Sequence, residues 1–246
     1  MIDHVAVTSF SEKGWNVYGK RFVESFLKHW DIPLFVYAEG QPRPFASDRL
    51  YWFDLNNDPD RRDFLKRNNN LAKVGTRMNP NMQSLRFCHK IFALTHPDID
   101  SRWRIWIDAD TETISSVNDD VLSDLCPEDS KLVYLGRTQA LWKDQAPYSE
   151  CGFVAYRTED PKIQAMMKEM RRIYTSDELY LLGNNNWHDS YVFDYCRKNS
   201  GIPKNQQYNL SAGIPGLNVW EHTILSRFMR HNKGERAKLV NYGGLA

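Results

Sequence analysis

The sequence predicts an α/β fold, with a mostly parallel central sheet flanked by helices. Short β-branched and aromatic runs alternate with amphipathic helical stretches, the pattern of crossover-connected parallel strands. A length of 246 residues suits one large domain with an ample core. No internal repeat or low-complexity linker divides the chain, so a single domain over 1–246 is the simplest partition.

His4 to Phe10 reads as an opening buried strand that ends in polar turn residues. Gly14 to Trp30 carries a helical apolar stripe of Trp15, Tyr18, Phe22, Phe26 and Trp30, and Pro33 stops it. Leu34–Ala38 and Leu50–Phe53 read as strands. Helices are expected over about Pro59–Lys73 and Met82–Leu94. A fourth strand, Trp103 to Ile107, ends abruptly at Asp108-Ala109-Asp110. Further on, Leu132–Leu135 and Gly152–Tyr156 look like strands, and Pro161–Tyr174, His188–Lys198 and Thr223–Met229 like helices. Pro203–Trp220 reads as loop. In such sheets ligands sit beyond the carboxyl ends of the strands. Thr8-Ser9-Phe10 and Asp108-Ala109-Asp110 both fall there and are candidates for one pocket.

Composition removes several classes. The 32 basic and 31 acidic residues exclude a globally basic nucleic-acid coat and an acidic disordered tail. No apolar run approaches the roughly 20 residues of a membrane span, and the N-terminus lacks the pattern of a signal peptide. Cys88, Cys126, Cys151 and Cys196 form no C-x-x-C pair and read as free thiols, with a cytoplasmic location expected. There is no G-x-x-x-x-G-K-S/T loop, G-x-G-x-x-G turn, H-E-x-x-H or G-x-S-x-G. Charge is even only in total. Arg61–Lys90 holds eight basic residues against Asp63 alone, and Asp98–Asp129 ten acidic residues against two arginines. Such segregation suits either a cation site beside a polyanion surface or two solvated faces that balance each other.

Asp108-Ala109-Asp110 is the sharpest motif. Two carboxylates released from a strand end can both approach a divalent cation, and oxygen ligation suits Mn²⁺ or Mg²⁺ bridging phosphates. The competing reading is a solvated turn or helix cap. His231-Asn232-Lys233-Gly234 is the second: His231 would complete a metal shell, Lys233 would meet phosphate, and Gly234 would let the backbone approach. By itself this segment also fits a basic surface.

Together these segments resemble nucleotide-sugar-dependent glycosyltransferases of the GT-A fold, nearest in style to the glycogenin and galactinol-synthase type. The resemblance rests on Val7-Thr8-Ser9 before an aromatic-bearing helix, on Arg104 to Thr111 as a hydrophobic strand plus D-x-D-T, on Glu150-Cys151-Gly152-Phe153-Val154, and on His231-x-Lys233-Gly234. The family's terminal Lys-Pro-Trp is absent, Arg236 and Lys238 standing there, and the spacing from Thr8 to Tyr18 is longer than usual. Trp187-His188-Asp189-Ser190 also resembles the Trp-His-Asp-Glu-Ser segment of blood-group-type transferases, without its Glu.

The resemblance implies a single GT-A (Rossmann-like) domain, 1–110 binding the nucleotide and 111–246 the acceptor. It implies a metal held by Asp108, Asp110 and His231, and a UDP-sugar met by Thr8, Ser9, Tyr18, Arg86, Lys90, Lys233 and Gly234. Asp189 or Glu150 would face the acceptor hydroxyl; Asp189 equally suits a helix N-cap. A saccharide is the family's usual acceptor. Phage enzymes of the same broad fold glycosylate hydroxymethylated DNA bases, and the basic Arg61–Lys90 stretch keeps a DNA acceptor open. A nucleotidyltransferase, or a GT-A-like domain that binds without turnover, are the remaining classes.

Overall fold

The computed structural model describes residues 1–40, 45–70, 83–139, 147–182 and 186–232. Strand β1 (Ile2–Ser11) leads through a turn of helix, α1 (Glu12–Gly14), and a π-helical stretch, Trp15–Gly19, into α2 (Lys20–His29). Then come β2 (Leu34–Glu39), β3 (Leu50–Asp54), α3 (Pro59–Asn68), α4 (Ser84–Leu94), β4 (Ser101–Ile107) and β5 (Thr111–Thr113). The second half adds α5 (Asp119–Leu125), β6 (Leu132–Leu135), β7 (Glu150–Arg157), α6 (Pro161–Thr175), α7 (Asp189–Asn199), β8 (Gln207–Asn209) and β9 (Met229–His231).

Seven strands form the central sheet in the order β3-β2-β1-β4-β7-β6-β8. β7 runs antiparallel to both neighbours, and the other pairings are parallel, so the sheet is mostly parallel as expected. Each face is covered. Along β1, Val5 and Val7 enter the core beneath α3, α4, α6 and α7, while Ala6 and Phe10 enter the core beneath α2. Burial on both faces is why these strands read as nearly unbroken apolar runs.

The structure corrects several boundaries. The helix expected to Lys73 ends at Asn68, and 71–82 lie outside the described residues. The stripe from Trp15 to Trp30 is not one regular α-helix. Its first five residues, Trp15–Gly19, are π-helical, and while Phe22, Phe26 and Trp30 go into the core, Tyr18 turns towards the strand ends. The expected helix Thr223–Met229 is a 3-10 turn, Ile224–Arg227, followed by β9. There, Met229–His231 pair antiparallel with Thr111–Thr113, placing His231 opposite Thr111. That small ribbon is what carries the end of the described chain back to the turn after β4.

Candidate active site at the strand ends

A cleft of about 450 Å³ opens at the carboxyl ends of β1, β2 and β4. It brings together Ser9, Tyr18, Arg86, Lys90, Asp108, Asp110, Glu150 and Asp189 from widely separated segments. Asp108 follows β4 directly, and the turn is fixed by backbone bonds from its N–H to the Gly152 carbonyl (2.8 Å) and from Thr111 N–H to its own carbonyl (3.0 Å).

The two oxygens of Asp108 have different work. Oδ1 accepts from Trp106 Nε1 (2.6 Å) and from Lys90 Nζ (3.0 Å). Trp106 and Asp108 are two residues apart, which puts both on one side of the strand line. Oδ2 faces the other way, 3.9 Å from His231 Nε2, and that nitrogen lies 3.1 Å from Asp110 Oδ1. Asp108, Asp110 and His231 thus each offer one ligand atom, all within 4.8 Å of one another. The Asn232 N–H bonds the Asp110 carbonyl at 2.9 Å and ties the ribbon to the turn.

Gly152 completes this arrangement by leaving space. A Cβ there would stand 2.6 Å from His231 Cε1 and 3.1 Å from Nδ1. The imidazole, packed also on Trp220 with ring centroids 4.8 Å apart, occupies the volume a side chain would fill. Two hard carboxylate oxygens and one imidazole nitrogen fit Mn²⁺ or Mg²⁺ with positions left for phosphate and water.

Lys90 is placed differently from the expectation that it meets phosphate. Its ammonium is buried between Asp108 Oδ1 and Asp189 Oδ2 (2.9 Å), and it also donates to the Cys151 carbonyl. Burial opposes the charge, but Asp108 and Asp189 outweigh that and hold the ammonium well above its ordinary pKa. Lys90 therefore links the Asp108-Ala109-Asp110 turn to the start of α7. At that start His188, not Asp189, is the N-cap: its Nδ1 accepts from the Tyr191 N–H at 3.2 Å. Asp189 is freed from capping and lines the cleft. Glu150 also reaches the cleft, but Arg137 pairs with it, both side chains 7% exposed, and this pairing fixes the wall.

Of the residues expected to meet the nucleotide, Ser9, Tyr18 and Arg86 line the cleft. Burial, with the Asp110 and Glu39 carboxylates nearby, pushes the Tyr18 hydroxyl up to about 12, so it stays a neutral phenol. Thr8 is a correction. It is fully buried, and its hydroxyl donates to the Ile107 carbonyl at 2.8 Å, stitching β1 to β4 below the cleft. Lys233 and Gly234 lie outside the described residues, as do Asn184 and Asn185 of the polar stretch before Asp189.

The charged segments divide further than the sequence indicates. In the acidic one, Asp108 and Asp110 enter the cleft, whereas Asp119 and Asp120 occupy the first turn of α5, where the helix dipole favours them. In the basic one, Arg61 is buried and bonds His89 and Asn56, and Arg67 pairs with Asp177 at 2.8 Å. Arg86 and Lys90 alone of that segment's described basic residues line the cleft. Sequence reasoning missed Trp106, Glu39 and His89. The strand-end rule that singles out Asp108 applies equally to Glu39, the last residue of β2.

No protein-family model and no curated protein matches this chain. Among solved structures, a glycosyltransferase involved in the glycosylation of the major capsid of PBCV-1 matches with a TM-score of 0.50 at 10% identity. The match covers 99% of this chain and 100% of that one. The fold is GT-A-like. At that identity the likeness shows the fold alone and does not reach the glycogenin-type subfamily. Among the described residues no helix is long and apolar enough to cross a membrane, and all four cysteines are free and buried.

Proposed function

We propose that this protein is a metal-dependent glycosyltransferase, moving a sugar from a nucleotide-sugar donor, with UDP-sugar the first choice, to a saccharide hydroxyl. The observation that carries this reading is the convergence of Asp108 Oδ2, Asp110 Oδ1 and His231 Nε2 in the strand-end cleft of a GT-A-like sheet. These three residues would hold Mn²⁺ or Mg²⁺, which when bound supplies Lewis-acid neutralisation of the leaving diphosphate. Trp106 and Lys90 occupy the other Asp108 oxygen and so fix which one is presented.

On the acceptor side, Asp189 Oδ2 is held 2.9 Å from Lys90 Nζ. Its role here is to accept a hydrogen bond from the acceptor hydroxyl and orient it. Glu150, locked to Arg137, supports the wall rather than exchanging protons. Tyr18 and Ser9 contribute donors on the nucleotide side, and Lys233 and Gly234 retain their proposed diphosphate contact. A saccharide acceptor is preferred over DNA, since Arg61 and Arg67 are engaged within the protein.

A screen of UDP-sugars for Mn²⁺-dependent hydrolysis and transfer tests this reading. Turnover is expected to vanish with chelator and to fall at least roughly 100-fold in Asp110→Ala. Turnover unchanged by either treatment would overturn the metal assignment. Binding of UDP and Mn²⁺ without turnover of any donor would favour a non-catalytic sugar-nucleotide-binding domain.

A further inference from the structure

Lys90 reaches into the cleft from α4, its side chain only 13% exposed. Its ammonium has three protons and three acceptors around it: Asp108 Oδ1 at 3.0 Å, Asp189 Oδ2 at 2.9 Å and the Cys151 carbonyl. The Trp106 ring lies beside it, 5.0 Å from nitrogen to centroid. With every N–H engaged inside the protein, Lys90 has no hydrogen bond left to give a ligand. What it contributes to the cleft is its charge.

Asp108 divides itself between that charge and the candidate cation position. Its Oδ1 turns to Lys90 and Trp106, while its Oδ2 lies 3.9 Å from His231 Nε2, within the group of Asp108, Asp110 and His231. A resident monovalent cation and an incoming divalent one would therefore bear on the two oxygens of one carboxylate. At such separations, away from bulk water, their mutual repulsion is strong. The same ammonium bridges Asp108 to Asp189, which lines the cleft yet is not one of the three residues that gather there. We propose that Lys90 is a built-in counter-ion that holds down the divalent-cation affinity of the cleft and keeps Asp189 out of the ion's coordination. Without it, Asp108 and Asp189 would have only the divalent ion to balance them, and the ion would bind more tightly. This inference rests on the cation-site part of the proposed function, and on neither the donor nor the acceptor.

Calorimetric titration of Mn²⁺ into the nucleotide-free full chain tests it through the sign of the change. Lys90→Met is expected to bind Mn²⁺ at least about tenfold more tightly than the wild type. A lysine that served only to brace Asp108 would give the opposite result, because its loss would loosen a ligand. Weaker or unchanged Mn²⁺ binding by folded Lys90→Met therefore overturns the proposal. Asp189→Asn gives a second reading that leaves Lys90 in place. Its Lys90 charge is balanced by Asp108 alone, and Mn²⁺ affinity is expected to fall at least about threefold. Should circular dichroism show Lys90→Met unfolded, Asp189→Asn decides, and affinity unchanged or raised there overturns the proposal. Mn²⁺ binding that Asp110→Ala abolishes but the Lys90 and Asp189 variants leave unaltered overturns this inference alone and keeps the cation site. A wild type that binds no Mn²⁺, with UDP or without it, removes the cation site first and this inference with it.

Discussion

Gly152 shows how one missing side chain shapes the site. Gly152→Ala would put a methyl group 2.6 Å from His231 Cε1, with the fixed backbone of β7 on one side and the Trp220 ring behind the imidazole. Overpacking of this kind costs about 1–3 kcal/mol, and the ring is what must move. The expected result is at least tenfold weaker Mn²⁺ binding by calorimetry, with a modest drop in urea midpoint. Lys90 should behave differently. Lys90→Met leaves Asp108 and Asp189 facing each other without the cation between them, and loss of a buried partner costs about 3 kcal/mol. Equilibrium urea unfolding would report this, and a change under 1 kcal/mol would mean the ammonium is not what holds the two carboxylates. Thr8→Val separates support from catalysis: it removes one buried hydrogen bond, worth about 1 kcal/mol, and should leave turnover unaltered.

At the scale of elements, α7 carries a pH signature through its cap. Burial lowers the His188 pKa to about 4 from 6.5, with the Asp189 carboxylate opposing and Arg137 reinforcing the shift. Below pH 6.5 the unfolded chain takes up a proton that the folded ring refuses. The contribution of His188 is therefore complete above pH 6.5 and is lost as pH falls towards 4, at up to about 1.4 kcal/mol per pH unit. His188→Asn keeps a capping side chain but cannot titrate, so unfolding free energies measured at pH 7.5 and pH 5 should differ less in the variant than in the wild type. An equal pH dependence in both would contradict the assignment. His188 also shows where legibility stopped. The helix start was readable from Trp187-His188-Asp189, but Asp is the commoner cap, and only the bond from Tyr191 N–H reveals that His188 has taken that place. The strands β1, β2 and β4 were readable because both of their faces are buried. The β5–β9 ribbon was not, since three residues per strand carry little pattern and the partners stand more than a hundred residues apart. For the same reason Asp108 and Asp110 stood out as a local motif, whereas Arg61, His89 and Glu39 come together only through tertiary packing.

For the whole molecule, the sheet places two cores back to back and leaves one polar rim at the strand ends. The formal net charge of +1 conceals that rim, where Asp108, Asp110 and Asp189 meet Lys90 and Arg86. A ligand that binds only this assembled rim must stabilise the fold as a whole. At 100 times Kd the gain is about 2.7 kcal/mol, which for a chain of this size corresponds to a Tm rise of roughly 5–10 °C. Mn²⁺ with UDP should produce that rise by calorimetric scanning, and either alone a smaller one. The most direct test is calorimetric titration of Mn²⁺ into the UDP-saturated protein and into Asp108→Asn, Asp110→Asn and His231→Ala. One equivalent of Mn²⁺ bound by the wild type, with affinity lowered at least tenfold in each variant, is the expected result. Equal Mn²⁺ affinity in the wild type and all three variants would contradict the shared cation site on which the glycosyl-transfer reading stands.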